Sequence, residues 1–194
     1  MKRILEFNSG YGRALDERDE LILQLLCEQC DDVALQLTGT HVGPDAAKQL
    51  LAEAAFKSTP QVQGSCIGIF DFSHLLLGAL VVRQNQPDVL DWYIGSLMFK
   101  PDFRSQGHGH KVIQAFQHYV HEQGGKRILL AVMWSNPRAM TFWKHLGFEA
   151  ARPLGPIQFG QLTQSGMELQ QIVKNYQGLS TQMKPILQYR ISSG

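Results

Sequence analysis

Residues 104–116, RSQGHGHKVIQAF, place two glycines directly in front of an amphipathic helical pattern. The first turn of a helix has backbone N–H groups without intrahelical partners, and the helix dipole adds partial positive charge there. Gly107 and Gly109 carry no Cβ, so a ligand can approach this backbone closely. The stretch therefore predicts either an anion-binding loop, with Arg104 as a charged donor, or a plain turn that needs glycines for its geometry.

The spacing of these glycines narrows the choice of ligand. It fits neither GxGxxG nor GxxxxGK[ST], so it indicates neither a dinucleotide loop nor a nucleoside triphosphate loop. His108 and His110 are interleaved with the glycines. Each is interpreted either as a further contact to the anion or as a solvated loop residue.

The segments on either side of the loop alternate between strand and helix patterns. VLDWYIGSLMFK at 89–100 predicts a strand, a helix is expected over 110–123, and the apolar run RILLAVMW at 127–134 predicts a buried strand. Ser135 or Asn136 can cap a second helix that has Pro137 at its first position. This order predicts a right-handed βαβ unit.

The rest of the chain predicts further strands and helices in one domain over residues 1–170. A glycine-interrupted strand, two helices and a pair of antiparallel strands precede the βαβ unit, and two closing strands follow it. Residues 171–194 form a C-terminal extension without a clear pattern. The expected segments are a strand over 3–15, helices over 16–30 and 44–55, strands over 66–71 and 74–83, and strands over 149–160 and 161–171.

Composition excludes several classes of protein. Lys plus Arg number 18 and Asp plus Glu number 17, so there is no basic surface typical of nucleic-acid binding. No apolar run reaches the roughly 20 residues of a membrane span, and the N-terminus does not resemble a secretory signal. Three cysteines do not suggest a disulfide framework, and Cys27 and Cys30 lack a second ligand pair for zinc. We therefore expect a cytoplasmic protein without metal, nucleic-acid or membrane partners.

Two separated motifs resemble the GNAT superfamily of N-acetyltransferases. Arg104, Gly107 and Gly109 match its acetyl-CoA loop, [QR]-x-x-G-x-[GA], and NPRAMTFWKHLGFE at 136–149 is similar to its N-x-x-A-x-x-F-Y-x-x-x-G-F pattern. With the order of elements, the resemblance covers roughly residues 11–170. It implies an α/β fold with a mixed central sheet of about six to seven strands, a splayed fourth and fifth strand pair, and flanking helices.

The resemblance also implies which residues bind acetyl-CoA as co-substrate. The fourth strand would pair its backbone with the pantetheine arm, the loop would bind the pyrophosphate, and the following helix would contact pantetheine and the thioester. The implied residues are Leu97, Met98 and Phe99 on the strand, Arg104, Gln106, Gly107, His108, Gly109 and His110 in the loop, and Asn136 and Trp143 on the helix.

The chain departs from the family at the usual general acid. Many relatives have a tyrosine where this chain has Trp143, and an indole N–H is not a useful acid. Some relatives have a glutamate base near the position of Tyr93, which can only hydrogen-bond or relay water, or simply pack on the sheet. Tyr93 and Asn136 are the candidate catalytic residues, and Asp71 and His74 are candidates to line an acceptor site.

These observations predict an N-acetyltransferase that moves an acetyl group directly from acetyl-CoA to an amine. The acceptor is a small-molecule or peptide amine, and a homodimer is possible. Because Trp143 replaces the usual tyrosine, the alternative is an acyl-CoA-binding module that is regulatory or only weakly catalytic. A plain interaction domain without a ligand is disfavoured by the glycines at 107 and 109 that follow Arg104.

Overall fold

The computed structural model describes residues 2–56 and 59–173, which form one mixed sheet covered by helices on both faces. Within these residues the sheet has eight strands in the order β1-β2-β3-β4-β5-β6-β8-β7. All neighbours are antiparallel except β5 and β6, which are parallel. The strands are β1 (Leu5–Phe7), β2 (Gly10–Ala14), β3 (Gln63–Phe70), β4 (Leu76–Gln84), β5 (Asp91–Phe99), β6 (Arg127–Met133), β7 (Glu149–Phe159) and β8 (Leu162–Ile172).

The strand count exceeds the prediction of about six to seven because the first predicted strand is a hairpin. Its turn lies between Phe7 and Gly10, and β1 folds back on β2. A Cβ on Gly10 would lie 2.0 Å from the carbonyl oxygen of Phe70, so only glycine lets β2 approach β3 this closely. The antiparallel strands β3 and β4 before the βαβ unit and the two closing strands are present as predicted, and the structure pairs the closing strands β7 and β8 as a hairpin.

The helices of the described residues lie where amphipathic patterns predicted them, with one addition. The predicted helix over 16–30 begins as a 3₁₀ turn at Glu17–Asp19, and a further helix, ended by Gly39 at φ 74°, follows it without a loop. This addition was not predicted. The α-helices are α1 (Glu20–Gln29), α2 (Asp31–Thr38), α3 (Ala46–Ala55), α4 (His108–Glu122) and α5 (Pro137–His145).

Two apolar cores lie on opposite faces of the sheet. On one face, α4 and α5 pack on β4, β5 and β6, with Phe116, Leu80 and Leu130 among the buried residues. On the other face, α1 and α3 pack on β3 and β4, with Leu26 and Val81 among the buried residues. We call these the α4 face and the α1 face.

A buried ion pair fixes the start of α1 against β2. Arg13 donates to both carboxylate oxygens of Asp19, at 2.7 and 2.6 Å, and both residues are less than 10% exposed. The guanidinium also lies over the ring of Phe70, 4.6 Å from its centroid. The hydrogen bonds from Arg13 hold the pKa of Asp19 below its usual range, so this carboxylate is ionised at neutral pH.

The strand that carries Tyr93 and Leu97, β5, is irregular in two ways. Ser96 pairs with Val81 and Ile94 with Val82, so Gly95 is an extra residue, a β-bulge. The parallel pairing of β5 with β6 ends at Ile94 and Leu130. The two strands therefore separate beyond this point, which is the splayed pair implied by the resemblance.

The predicted C-terminal extension at 171–194 lies outside the described residues except at its start. Gln171 and Ile172 belong to β8, and Val173 donates a backbone hydrogen bond to Lys126. Within the described residues, no helix combines the length and apolar character needed to cross a membrane.

Candidate active site

A cavity of about 370 Å³ occupies the gap where β5 and β6 separate. Its lining comes from both faces of the sheet. From the α4 face come residues of β5, β6 and α5, and from the α1 face come residues of α2, α3 and β4. The cavity therefore passes through the plane of the sheet, between two strands that no longer hydrogen-bond to each other.

Helix α5 forms the wall of the cavity on the α4 face. Asn136 caps this helix, with its Oδ1 accepting a hydrogen bond from the Ala139 N–H at 3.0 Å, and it also lines the cavity. Trp143 is only 6% exposed and packs edge-on against Phe142 and Phe148. Both predicted residues, Asn136 and Trp143, are thus structural elements of α5 that also face the cavity.

The glycine loop forms the N-terminus of α4, as predicted. The first backbone hydrogen bond of this helix runs from the Lys111 N–H to the Gly107 carbonyl. The N–H groups of His108, Gly109 and His110 lie before it and have no intrahelical acceptor. Gly107 has φ 80°, a conformation that favours glycine, and a Cβ there would meet open space. Gly107 therefore shapes a helix end whose first N–H groups have no partner among the described residues, which suits an anion.

Gly109 has a packing role that the sequence did not reveal. A Cβ at this position would lie 3.1 Å from Cζ of Phe142, so the glycine lets α4 approach α5 closely. His108 packs edge-on against Phe103, and its Nδ1 is buried without a hydrogen-bond partner in the described residues. His110 is exposed. Gln106 donates its side-chain amide to the Asp102 carbonyl.

Arg104 is engaged by protein groups. Its Nη1 and Nη2 donate to the two carboxylate oxygens of Asp32 at 2.5 and 2.9 Å, and its Nε donates to the Phe99 carbonyl at 2.8 Å. Arg104 thereby connects the loop to α2 and to the end of β5. A phosphate contact from Arg104 stays a prediction, and it would require the Asp32 contacts to be exchanged or shared.

The three strand residues expected to pair with pantetheine differ in where their backbone groups point. The Met98 carbonyl faces Gly78 on β4. A Cβ built on Gly78 would lie only 2.4 Å from the oxygen of this carbonyl. The Phe99 carbonyl accepts hydrogen bonds from Arg104 and from Sγ of Cys30. Leu97 lines the cavity, and by strand alternation its backbone faces the gap. By the same alternation the Phe99 backbone also faces away from β4, and the pairing of Leu97, Met98 and Phe99 with pantetheine stays a prediction.

Tyr93 lies in the cavity among charged neighbours. It faces Arg83 directly across the β4–β5 pair. Burial, and next the negative charge of Glu168, raises the pKa of Tyr93, so its hydroxyl is neutral at physiological pH. Glu168 is bound by Arg152 at 2.7 and 3.1 Å. Tyr93 can donate or accept a hydrogen bond here, but it is not an anionic base.

An amide network holds α2 over the far end of the cavity. Gln36 donates to the Ser135 carbonyl at 2.6 Å, and the hydroxyl of Ser135 donates to Gln164. Gln164 in turn donates to the carbonyls of Leu37 and Gln36, at 2.5 and 3.2 Å. These contacts tie α2, β8 and the start of α5 together, so the wall on the α1 face is fixed by hydrogen bonds.

Two cavity residues, Arg83 and Glu53, were not among the predicted site residues. Arg83 follows the apolar run of β4 and lies two residues after Val81. Strand alternation alone therefore predicts that its side chain points to the same face of the sheet as Val81. Glu53 is placed by α3, and only the fold brings it to Arg83. Asp71 and His74 lie elsewhere: Asp71 accepts from the Leu75 N–H, and His74 bonds to the Tyr11 hydroxyl.

The three cysteines are not reactive thiolates. All three are buried and free, and burial raises the pKa of Cys27 to about 11 and that of Cys66 to about 12. They are therefore neutral thiols at physiological pH. In the part of the chain that the structure describes, no group of three or more His, Cys, Asp or Glu residues is arranged to hold a metal ion.

Solved structures share this architecture at low sequence identity. An acetyltransferase of the GNAT family from Bacillus anthracis has a TM-score of 0.70 at 12% identity, over 87% of this chain and 98% of its own. A probable acetyltransferase from Chromobacterium violaceum has a TM-score of 0.73 at 17% identity, over 87% and 85%. Spermidine N-acetyltransferase from Vibrio cholerae, in complex with CoA and spermine, has a TM-score of 0.64 at 15% identity, over 83% and 94%.

The sequence itself carries a family match. A search of curated proteins found no significant match. The model of the acetyltransferase (GNAT) family, however, matches residues 33–148, which is more than half of the 194-residue chain. This range runs from α2 to the end of α5 and contains both motifs that flank the cavity. With the family match and the shared fold in agreement, the chain belongs to the GNAT family of acetyltransferases.

Proposed function

We propose that this protein is an N-acetyltransferase that moves an acetyl group from acetyl-CoA to an amine. The observation that carries the proposal is the cavity between β5 and β6, because its lining comes from both faces of the sheet. Two substrates that enter from opposite faces can meet in this gap. Holding them together in the right orientation is a large contribution to catalysis, up to about 7–11 kcal/mol in favourable cases.

The residues on the α4 face fit the donor substrate. The N–H groups at the start of α4 suit the pyrophosphate, and the Leu97 backbone and Asn136 suit the pantetheine arm. Acetyl-CoA supplies the acetyl group: the amine nitrogen bonds to the thioester carbon, the C–S bond breaks, and the amine loses a proton. The chain's own part is to bind, orient and exclude water.

Two proton steps accompany the transfer: the ammonium loses a proton, and the thiolate leaves with or without gaining one. An alkyl ammonium must lose a proton before it attacks, and the neutral Tyr93 hydroxyl can pass that proton to water through a hydrogen bond. A thiol has a pKa near 8.5, so the leaving thiolate is tolerable without an acid beside it. The absence of a tyrosine at position 143 is therefore compatible with turnover.

We expect Trp143→Phe to retain acetyl transfer. Trp143 is buried between Phe142 and Phe148, so the change should lower Tm through lost packing and should lower kcat less than about tenfold. The measurement is kcat on any amine that the wild type accepts, with Tm and CoA affinity in parallel. A hundredfold fall in kcat with CoA affinity and Tm intact would show that the indole N–H takes part in the chemistry.

Binding of CoA at the start of α4 is tested by His110→Glu. His110 is exposed and is the third residue of α4, where a carboxylate stabilises a helix by about 0.3–1 kcal/mol. The same charge should repel a pyrophosphate and weaken CoA binding by about tenfold or more. Stability and affinity are therefore expected to change in opposite directions, measured by thermal unfolding and calorimetry.

The matched control for this charge is Gln114→Glu. Gln114 is exposed on α4 about one turn beyond His110, so its variant adds the same negative charge away from the helix N-terminus. It should leave CoA affinity nearly unchanged. Equal CoA affinities for His110→Glu and the wild type would place the pyrophosphate elsewhere. CoA binding without transfer to any amine would instead favour an acyl-CoA-binding module with a regulatory role.

A further inference from the structure

The α1-face side of the cavity contains an arginine with a buried, unused donor. Arg83 lines the cavity opposite Tyr93, and its side chain is 15% exposed. Its Nη2 donates to the backbone carbonyl and to the carboxylate of Glu53, both at 3.0 Å. Its Nε is buried without a hydrogen-bond partner in the described residues.

A buried donor without a partner is unfavourable, and a guanidinium is suited to relieve this in one particular way. Leaving such a group unsatisfied costs roughly 1–3 kcal/mol. The Nε and Nη2 groups lie on one edge of the guanidinium, which matches the two oxygens of a carboxylate. Glu53 uses only the Nη2 side of this edge, and its side chain is 58% exposed. An entering carboxylate can therefore share or replace Glu53.

Among the residues that the structure describes, the other charges near this side include no unpaired carboxylate for a second ammonium group. Among the described residues that line the cavity, Glu53 and Arg83 are the only charged ones, and they are bound to each other. Glu168, the neighbour of Tyr93, is bound by Arg152. A polyamine would thus meet one unsatisfied cationic group and no unpaired anion, which disfavours it.

We infer that the acceptor is an amine that also carries a carboxylate, such as an amino acid, with Arg83 binding the carboxylate. This inference rests on the proposed acetyl transfer and names the class of its second substrate. Arg83 is then a specificity-determining residue. It holds the carboxylate on the α1 face, while the amine reaches the gap between β5 and β6 beside Tyr93.

The test compares amines that differ only in a carboxylate. The pairs are L-phenylalanine with 2-phenylethylamine, L-leucine with isoamylamine, and β-alanine with ethylamine, and spermidine represents polyamines. For the wild type we expect a higher kcat/KM for the carboxylate member of at least one pair. In Arg83→Gln the ratio within that pair should fall about tenfold or more, because a charge-assisted bond is lost. Comparing ratios between proteins cancels the difference in amine pKa within a pair.

Two further variants show whether the effect belongs to the guanidinium. Arg83→Lys keeps the charge but loses the paired donors, so its ratio should lie between those of the wild type and Arg83→Gln. Arg18→Gln removes an exposed arginine far from the cavity and should leave the ratio at the wild-type value. Thermal unfolding of each variant confirms that it is folded at the assay temperature.

The outcomes separate this inference from the proposed function. Equal kcat/KM within every pair, a ratio unchanged in Arg83→Gln, or a preference for spermidine would overturn the inference while acetyl transfer stands. If no amine is acetylated, the proposed function fails, and calorimetry with the same amines and the CoA-bound protein decides. Binding that requires both the carboxylate and Arg83 would support the inference, and its absence would overturn it.

Discussion

Replacing Ala131 with phenylalanine should abolish acetyl transfer while leaving the protein folded. Ala131 is the first residue of β6 beyond its last pair with β5, and it lines the cavity. A phenyl ring there would fill the point where the two substrates meet. Because a displacement of about 1 Å can cost a hundredfold in rate, we expect kcat/KM to fall by about a hundredfold or more.

The control for Ala131→Phe is the same change at Ala150, which is exposed on β7. Both variants are compared by circular dichroism, thermal unfolding and transfer to any amine that the wild type accepts. Ala150→Phe should retain wild-type activity. If Ala131→Phe is folded and as active as the wild type, the transfer site does not lie in the gap between β5 and β6.

The largest expected loss of stability comes from Asp19→Ala. Arg13 would then be buried without its counter-ion, and removing one partner of a buried pair typically costs about 3–5 kcal/mol. For a domain of this size, that loss corresponds to a fall in Tm of roughly 6–20 °C. Arg18→Ala, which removes an exposed partner of Asp16, should change Tm little and serves as the control.

The pH dependence of unfolding has a definite sign. The pKa of Asp19 is lowered in the folded protein, so its contribution is complete above the unfolded pKa of about 3.9 and is lost as pH falls below it. As pH is lowered from neutral to acidic, the free energy of unfolding should therefore fall less for Asp19→Ala than for the wild type. The double variant Arg13→Met, Asp19→Ala should recover part of the loss, because no charge remains buried alone. A double variant no more stable than Asp19→Ala would contradict this account.

The unit from β5 to α5 is largely predictable from the sequence because its signals are local. The alternation of strand and helix patterns, the glycines before α4, and Asn136 and Pro137 at the start of α5 each act within a few residues. The same holds for the antiparallel strands β3 and β4 and for the N-terminus of α4 as a site with backbone donors that lack intrahelical acceptors. These features depend on hydrogen bonds and packing that neighbouring residues determine.

What escaped prediction depends on residues far apart in the chain. The partner of Arg104 is Asp32 on α2, a helix that the sequence pattern did not reveal. The tight space at Gly109 is created by Phe142 on another helix. Arg83 becomes a cavity residue only when α3 and the gap between β5 and β6 are placed around it. Such relations require the tertiary structure, because propensity and periodicity describe one segment at a time.

The extra residue at Gly95 interrupts the alternation of side chains between the two faces of β5. Before it, Trp92 and Ile94 point to the α4 face at a spacing of two, and after it Leu97 and Phe99 do so again, three positions on from Ile94. If β5 were regular through Gly95, Leu97 and Phe99 would point to the α1 face, and Ser96 and Met98 would take their places in the opposite core. The bulge therefore decides which side chains in the second half of β5 enter each core, and a strict period of two would assign all of them to the wrong face.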